Sequence, residues 1–325
     1  MRFAVGFTRR WHGSGNLWLI ILVSKNNQQK ILITGATGLV GTHLLYACDP
    51  ENVVGTYYTV KPAVDNYSYY YLDLQYPNSI HTLISEIEPT HIIHCAAKSS
   101  LDWCEKNKYE NWRINAEAPI LFAQICAQNH IRYLFISSDM VFDGSDGFYS
   151  ETDATNPLSL YGKAKLAAES GIQKINPHAV IARIALVYGL PLAPDRGSSF
   201  LTWILSRIHK NQTVPLFKDQ FRTPISVNEL VSLLFELLFS DYCGIVHVGG
   251  PERLNRLQFG KYVCQAFELG EKHLIESQLC EIEQIPARPR DLSLTIDKLN
   301  SIVETKQLPC LKNLEYWAAV SNRVA

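Results

Sequence analysis

One stretch of this 325-residue sequence decides the fold: Lys30-Ile31-Leu32-Ile33-Thr34-Gly35-Ala36-Thr37-Gly38-Leu39-Val40-Gly41-Thr42-His43-Leu44-Leu45. A short run of β-branched residues ends in three glycines spaced three apart, and apolar residues at helical spacing follow. This order is typical of a buried parallel strand that turns into a helix. Gly35 would make the tight turn, Gly38 would let a diphosphate approach the backbone, and Gly41 would let the helix lie close to the strand. The amides at the helix start would then face a pyrophosphate.

The chain beyond this stretch alternates between the two element types as far as residue 190. The pattern predicts strands at 52–57, 69–72, 91–95, 133–137 and 180–183, and helices at 80–87, at 107–128 and from Tyr161 onwards. Strands that alternate with helices form a parallel sheet covered on both faces. We therefore predict an α/β fold, a Rossmann-type doubly wound parallel sheet.

The character of the sequence changes after Gly189. Prolines punctuate an irregular stretch, which is followed by predicted helices at 200–209, 227–239 and 258–268 and a short strand at 245–248. These elements predict a smaller lobe over the open edge of the sheet. We divide the chain into an N-terminal extension of unclear role (1–29), a dinucleotide-binding domain with the catalytic residues (30–190) and a mainly substrate-binding lobe (191–325).

Composition excludes several classes of function. Hydrophobic residues make up 47% and charged residues 19%, as in ordinary globular enzymes, and a net charge of −1 without a basic block argues against nucleic acid as a partner. The eight cysteines form no Cys-x-x-Cys pair, so we predict reduced thiols in a cytoplasmic protein and no metal site. The apolar run at 17–23 is too short to cross a bilayer, so no membrane association is predicted.

The strongest catalytic signal is Tyr161-Gly162-Lys163-Ala164-Lys165 at the start of a helix. Tyr161 and Lys165 would lie one turn apart on the same face. The ammonium group and the helix dipole would lower the pKa of the phenol, so that Tyr161 could protonate a carbonyl oxygen as a hydride reaches its carbon. Ser138, at the end of the preceding strand, would donate a hydrogen bond to the same oxygen. The alternative is a surface tyrosine beside a solvated lysine.

Polar residues at the strand ends indicate where a dinucleotide would lie. Asp73 could accept a hydrogen bond from an adenine amino group, or it could cap a helix. The second strand and the residues after it, 53–60, contain no carboxylate to accept from the ribose 2′-hydroxyl of NAD, and Lys61 follows. This favours NADP over NAD, although NAD is not excluded.

Together these motifs resemble the extended short-chain dehydrogenase/reductase superfamily. The shared positions are the glycine turn, His94-Cys95-Ala96-Ala97, Asn115, Ser137-Ser138 and Tyr161-x-x-x-Lys165. Within the superfamily the chain is most similar to the dTDP-4-dehydrorhamnose reductase branch. That resemblance rests on Asp102-x-Cys104-Glu105, Ser138-Asp139-Met140-Val141-Phe142-Asp143-Gly144, Asp219-Gln220-Phe221-Arg222-Thr223-Pro224 and Arg288-Pro289-Arg290-Asp291.

The resemblance implies an NAD(P)H-dependent reductase of a 4-keto-6-deoxy sugar carried on a nucleoside diphosphate. The implied catalytic residues are Ser138, Tyr161 and Lys165. Asn115 would support the lysine through a water network. The implied cofactor-binding residues are Gly35, Thr37, Gly38, Leu39, Val40, Gly41, Asp73, Leu74, Ala96, Ala97, Lys98, Asn115 and Lys165. The implied substrate-binding residues are Asp102, Met140, Arg222 and Arg288. The two arginines would contact the substrate diphosphate, since a guanidinium fork matches phosphate oxygens; a surface ion pair is the alternative for each. A homodimer is compatible with the sequence.

Two other functions fit the same motifs. The branch usually has tyrosine where this chain has Met140, which leaves the exact sugar open. The branch also includes a regulatory protein, the β subunit of methionine adenosyltransferase, and the opening Gly-Ala-Thr-Gly-Leu-Val-Gly is equally close to it. A sugar-nucleotide epimerase or dehydratase uses the same three catalytic residues and is the remaining alternative.

Overall fold

The computed structural model describes residues 29–59, 61–62, 66–192, 197–281 and 286–324, together with two short strands nearer the N-terminus. The strands are β1 Phe7–Arg9, β2 Ile20–Leu22, β3 Ile31–Thr34, β4 Val53–Tyr57, β5 Ser68–Tyr71, β6 His91–His94, β7 Arg132–Ser138, β8 Val180–Ile184, β9 Val187–Tyr188, β10 Val214–Phe217, β11 Phe221–Arg222, β12 Ile225–Ser226, β13 Gly244–Val248, β14 Leu254–Asn255 and β15 Leu274–Ser277. The remainder of the predicted extension at 1–29 lies almost entirely outside the described residues.

The helices are α1 Leu39–Tyr46, α2 Pro77–Ile87, α3 Leu101–Lys106, α4 Lys108–Trp112, α5 Ala118–Gln128, α6 Leu160–Ile175, α7 Phe200–His209, α8 Val227–Phe239, α9 Arg256–Ala266, α10 Asp297–Ile302 and α11 Cys310–Val324. The structure has a helix in each region where the sequence predicts one, and it adds α3, α10 and α11, which the sequence analysis did not predict. Among the helices of the described ranges, none combines the length and apolar character that a bilayer crossing requires.

A seven-stranded parallel sheet forms the centre of the molecule, in the order β13-β8-β7-β6-β3-β4-β5. Its apolar side chains alternate between the two faces. One face packs against α1, α8 and α10, and the other against α2, α5 and α6. The predicted Rossmann-type doubly wound sheet is therefore confirmed, because a parallel sheet needs helices on both faces to bury its side chains.

The smaller lobe has its own core. Residues of α7, α9, α11, β10 and β15 pack around Tyr188, Phe259 and Trp317. Two elements differ from the predicted division of the chain. Strand β13, which we assigned to this lobe, pairs in parallel with β8 and buries Val246 and Val248 in the core of the main sheet. Helix α8, also assigned to the lobe, covers the same sheet. A short apolar strand does not reveal in its sequence which sheet it joins.

The long helix predicted at 107–128 contains a π-helical segment, Arg113–Glu117, between α4 and α5. Pro119 has no N–H group and so cannot donate to the carbonyl of Asn115, four residues earlier. The missing hydrogen bond explains why the helix widens at this point. The π segment turns Asn115 into the protein interior, where it is fully buried.

Candidate active site

The glycine turn between β3 and α1 is shaped by close contacts. Gly35 has φ +67°, and a Cβ atom there would lie 2.8 Å from the Cα of Ala96. A Cβ on Gly41 would lie 2.2 Å from the carbonyl oxygen of Gly35. A Cβ on Gly38, in contrast, would meet only that oxygen, at 3.5 Å, because Gly38 faces a cavity. The turn therefore leaves open the space that a phosphate group needs beside the start of α1.

Two adjoining cavities lie at the carboxyl ends of the strands, where doubly wound sheets bind ligands. The smaller, of about 270 Å³, is lined by the predicted cofactor residues Thr37, Asp73, Leu74, Ala96 and Lys98. The larger, of about 840 Å³, is lined by the predicted residues Leu39, Val40, Gly41, Ser138, Met140, Tyr161, Lys165, Arg222 and Arg288. Gly35, Gly38 and Ala97 line both. The combined shape fits a dinucleotide across the turn with a second ligand beside it.

Asp73, predicted as an adenine contact, lines the smaller cavity. Its Oδ1 accepts a hydrogen bond from the backbone N–H of Gln75 at 3.0 Å. Helix α2 begins at Pro77 with Tyr76 as its N-cap, so the helix-cap alternative for Asp73 is wrong. The carboxylate instead closes a turn at the rim of the smaller cavity.

Asn115 does not line either of these two cavities. Its side chain donates to the carbonyl oxygen of Lys98 at 2.9 Å and accepts from the Lys98 N–H at 3.1 Å. It also donates to the side chain of Asn111 at 2.8 Å. Asn115 thus holds the backbone of Lys98, which lines the smaller cavity. The contact with cofactor or with water that the sequence predicts stays a prediction.

The predicted catalytic residues meet in the larger cavity. Ser138 ends β7, and Tyr161 and Lys165 lie one turn apart on α6, whose start is capped by Ser159. The Lys165 Nζ donates to the carbonyl oxygen of Ile136 at 2.8 Å and lies 5.9 Å from the centre of the Tyr161 ring. Burial lowers the pKa of Lys165 to about 7.

One expectation about Tyr161 is not met in this structure. Burial, and next the carboxylate of Asp139, raise the pKa of Tyr161 well above its usual value. The lysine does not offset this, because its Nζ is turned towards the Ile136 carbonyl and is itself desolvated. The phenol is therefore held in the protonated form, which is the form that can donate a proton to a carbonyl oxygen.

The side chain of Ser138 is oriented by hydrogen bonds to the two residues that follow it, Asp139 and Met140. Its Oγ donates to Asp139 Oδ1 at 3.1 Å and accepts from the Met140 N–H at 3.2 Å. Ser138 also acts to lower the pKa of Tyr161, against the larger effects of burial and Asp139.

Arg222, a predicted substrate contact, is occupied by protein groups. Its Nε lies 3.4 Å from Asp139 Oδ2, its Nη1 donates to the carbonyl of Phe221 at 2.6 Å, and both Nη atoms approach the carbonyl of Pro289 at 3.4–3.5 Å. Burial raises the pKa of Asp139 while Arg222 opposes that shift. Arg222 therefore holds together the protein groups that form this wall of the larger cavity. Its side chain still lines that cavity.

Sequence reasoning missed Arg256, which also lines the larger cavity. Its Nε donates to Gln220 Oε1 at 2.9 Å, and its guanidinium group stacks on Phe200 at 4.6 Å from the ring centre. Its Nη1 is shielded from solvent and has no hydrogen-bond partner within the described part of the chain. Burial, and next the charge of Arg222, lower the pKa of Arg256 to about 9, which leaves it cationic at neutral pH. No sequence motif identifies Arg256 as a site residue. The one feature that could have pointed to it is its place in the first turn of α9.

The remaining predicted substrate residues, Asp102 and Arg288, form an ion pair with each other at 2.7 Å.

Behind the predicted catalytic residues, Glu169 continues the row of Tyr161 and Lys165 along the same face of α6. Glu169 is buried, pairs with Arg183 at 2.7 Å and accepts a 2.5 Å hydrogen bond from Ser137. This ion pair joins α6 to the sheet and so fixes the helix that carries the predicted catalytic residues Tyr161 and Lys165.

Comparison with known proteins identifies the family. The family model described as the RmlD substrate binding domain matches residues 29–318. The chain belongs to this family. It lies within the extended short-chain dehydrogenase/reductases, on the dTDP-4-dehydrorhamnose reductase-like branch, as the resemblance in the sequence indicated. The members and structural relatives of this group include sugar-nucleotide reductases, which supports an oxidoreductase.

Individual relatives agree with this placement. The chain is 32% identical over 271 residues to the probable low-salt glycan biosynthesis reductase Agl14 of Haloferax volcanii, covering 82% of this chain and 90% of the relative. It is 28% identical over 284 residues to methionine adenosyltransferase 2 subunit beta of Bos taurus, covering 84% and 82%.

Solved structures show the same fold. A hypothetical dTDP-4-dehydrorhamnose reductase from Sulfolobus tokodaii matches with a TM-score of 0.76 and 28% identity, covering 88% of this chain and 99% of that one. The Bacillus anthracis dTDP-4-dehydrorhamnose reductase in complex with NADP matches with a TM-score of 0.77 and 23% identity, covering 89% and 98%. Related enzymes were solved with NAD. A nicotinamide cofactor is consistent both with these relatives and with the glycine turn and the cavity beside it.

Proposed function

We propose that this protein is an NAD(P)H-dependent reductase that converts the 4-keto group of a nucleoside-diphosphate 6-deoxy sugar to a hydroxyl group. The observation that carries the proposal is the meeting of Ser138, Tyr161 and Lys165 in a cavity that continues into the glycine turn. A chain that served only to bind ligands would not need all three groups at this point. The family and the reductase Agl14 of Haloferax volcanii support the same reading.

The residues divide the work between binding and proton transfer. Gly35, Gly38 and the first turn of α1 would hold the diphosphate of the dinucleotide, and Thr37, Asp73 and Lys98 the adenosine end. Bound NAD(P)H would supply the hydride. Absence of a carboxylate after β4 favours NADPH as the cofactor.

Proton transfer to the substrate oxygen falls to Tyr161. Its raised pKa keeps the phenol protonated until the oxygen gains negative charge, and Ser138 would donate a second hydrogen bond to that oxygen. Lys165, one turn away, would stabilise the phenolate that remains once the proton has left. Met140, where the branch usually has tyrosine, would give this side of the sugar site an apolar surface.

The test is a substrate panel with both reduced cofactors. The purified protein is mixed with NADPH or NADH and with dTDP- and UDP-4-keto-6-deoxy sugars, and the loss of reduced-nicotinamide absorbance is followed. We expect turnover that depends on the keto sugar and is faster with NADPH. Absence of turnover with every keto sugar, from a folded protein that binds NADPH, would contradict the proposal.

A second function is favoured by one observation, the match to methionine adenosyltransferase 2 subunit beta along 84% of the chain. In that case the protein would be a regulatory subunit that binds the pyridine nucleotide without turning over a sugar. Co-purification with a methionine adenosyltransferase, together with no NADPH consumption, would favour this function. The matches to epimerases and to a dehydratase are 14–19% identical and reflect the shared fold.

A further inference from the structure

We infer that Arg256 is the residue that binds the substrate diphosphate, a role that sequence motifs assign to Arg222 and Arg288. This inference rests on the proposed function, because it names the group that recognises the substrate in the same site. The structure separates the three arginines by what their nitrogen atoms already contact.

Arg222 and Arg288 have their charge compensated by the protein itself. Arg222 pairs with the buried Asp139 and spends its other donors on two backbone carbonyls. Arg288 pairs with Asp102 at 2.7 Å. A phosphate group that approached either one would have to compete with a carboxylate already in place.

Arg256 has no such carboxylate partner within ion-pair distance among the described residues. Its side chain contacts the neutral amide of Gln220 and the face of Phe200, and both fix the plane of the guanidinium group without neutralising its charge. Its Nη1 donor is unused. The carboxylate that acts on Arg256, Asp139, is also the ion-pair partner of Arg222, and Arg222 itself lowers the pKa of Arg256.

The position of Arg256 suits the substrate rather than the dinucleotide. Its immediate neighbours are Gln220 and Arg222, and Arg222 contacts Asp139 immediately after Ser138. The glycine turn that would hold the dinucleotide phosphates belongs to the sheet side of the cavity. A guanidinium group held flat, with its Nη1 donor unused, has the planar shape that suits the oxygens of a diphosphate.

The experiment measures binding of thymidine, dTMP, dTDP and UDP by titration calorimetry, with NADPH at saturation. For Arg256→Met we expect the Kd for dTDP or UDP to rise about 10- to 100-fold and the Kd for thymidine to stay within about 2-fold. NADPH should bind the variant as it binds the wild type. Arg256→Lys, which keeps the charge and loses the fork, should lie between the two. Lys261→Met, an exposed cation on the same helix, is the matched control and should change nothing.

Each outcome decides the inference. Equal dTDP and UDP affinity in Arg256→Met and wild type, or a loss confined to NADPH, would overturn it while leaving the proposed function intact. A wild-type protein that binds NADPH but neither dTDP nor UDP would overturn the proposed function as well. If Arg256→Met does not fold, as judged by thermal unfolding, Arg256→Lys carries the test: an unchanged dTDP affinity there overturns the assignment of a forked contact.

Discussion

Arg288 donates a hydrogen bond to Asp102 at 2.7 Å, although 186 residues separate the two in sequence. The pair joins α3 of the main domain to the segment 286–290, which lines the larger cavity. Asp102 is 64% exposed, so the pair contributes little to stability and can open at low cost. The two residues, both predicted from sequence as substrate contacts, thus form a bridge at the edge of the cavity.

The bridge predicts small effects for both of its partners. Because Arg288 is paired with Asp102 and Arg256 takes the diphosphate, Asp102→Asn and Arg288→Met should each leave dTDP binding within about 2-fold of wild type. Titration calorimetry with dTDP measures both. Glu315→Gln, which breaks the exposed pair with Lys312 on α11, is the control and should have no effect. Equal weakening by Asp102→Asn and Arg288→Met would show that the bridge itself is needed.

The contacts in the glycine turn predict that alanine substitutions at Gly38 and Gly41 have different effects, one on cofactor binding and the other on stability. In Gly38→Ala the new Cβ meets only one atom, at 3.5 Å, so the protein should unfold within a few degrees of wild type but bind NADPH at least about 10-fold more weakly. In Gly41→Ala the Cβ would lie 2.2 Å from the Gly35 carbonyl, and stability should fall by about 3 kcal/mol or more. Thermal unfolding and NADPH titration separate the two. Full NADPH affinity in Gly38→Ala would contradict the assigned phosphate site.

The burial of Lys165 predicts that this residue lowers the stability of the protein while it supports the activity. Its pKa is about 7 in the folded protein and 10.5 in its ordinary state, so the unfolded chain binds more protons between these values. The free energy of unfolding should therefore rise with pH from about 7 to about 10, and Lys165→Met should remove that rise. At pH 7 this variant should be more stable by about 1–3 kcal/mol, because a buried cation is costly, and should lose at least about 100-fold in activity. Urea unfolding across pH measures the first effect; a variant less stable than wild type would contradict it.

The end of β4 predicts how cofactor preference can be changed. Thr59 is exposed, lines the smaller cavity and follows a strand end without a carboxylate. Thr59→Asp should place a carboxylate near the ribose 2′ position, so the ratio of NADPH to NADH efficiency should fall about 10-fold or more. Thr82→Asp, on the exposed face of α2, adds the same charge away from the cavity and should leave the ratio unchanged. An unaltered ratio in Thr59→Asp would place the 2′ group elsewhere.

Much of this arrangement could be predicted because it is local in sequence. The turn at Gly35 and Gly41, the order of the strands and the pairing of Tyr161 with Lys165 all follow from short-range patterns. The position of β13 could not be predicted, since a strand does not reveal its partner. The widening of the helix at Asn115 depends on one proline four residues away, which the pattern includes but does not single out.

The electrostatics of the site depended on contacts that only the fold creates. Tyr161 sits close to Asp139 and is desolvated, so its pKa rises where a helix-face argument predicted a fall. Arg222 belongs to a motif of the resemblance, yet its side chain is already paired with Asp139. Arg256 belongs to none of these motifs, and its Nη1 has no hydrogen-bond partner among the described residues. Which arginine is available depends on partners distant in sequence, and no spacing rule gives that information.

The account depends most directly on Tyr161 as the proton donor to the keto sugar. The decisive measurement compares NADPH oxidation by wild type and Tyr161→Phe on a nucleoside-diphosphate 4-keto-6-deoxy sugar, with NADPH affinity measured beside it. We predict that Tyr161→Phe binds NADPH as wild type does and turns over at least about 100-fold more slowly. A Tyr161→Phe protein as active as wild type would contradict the mechanism.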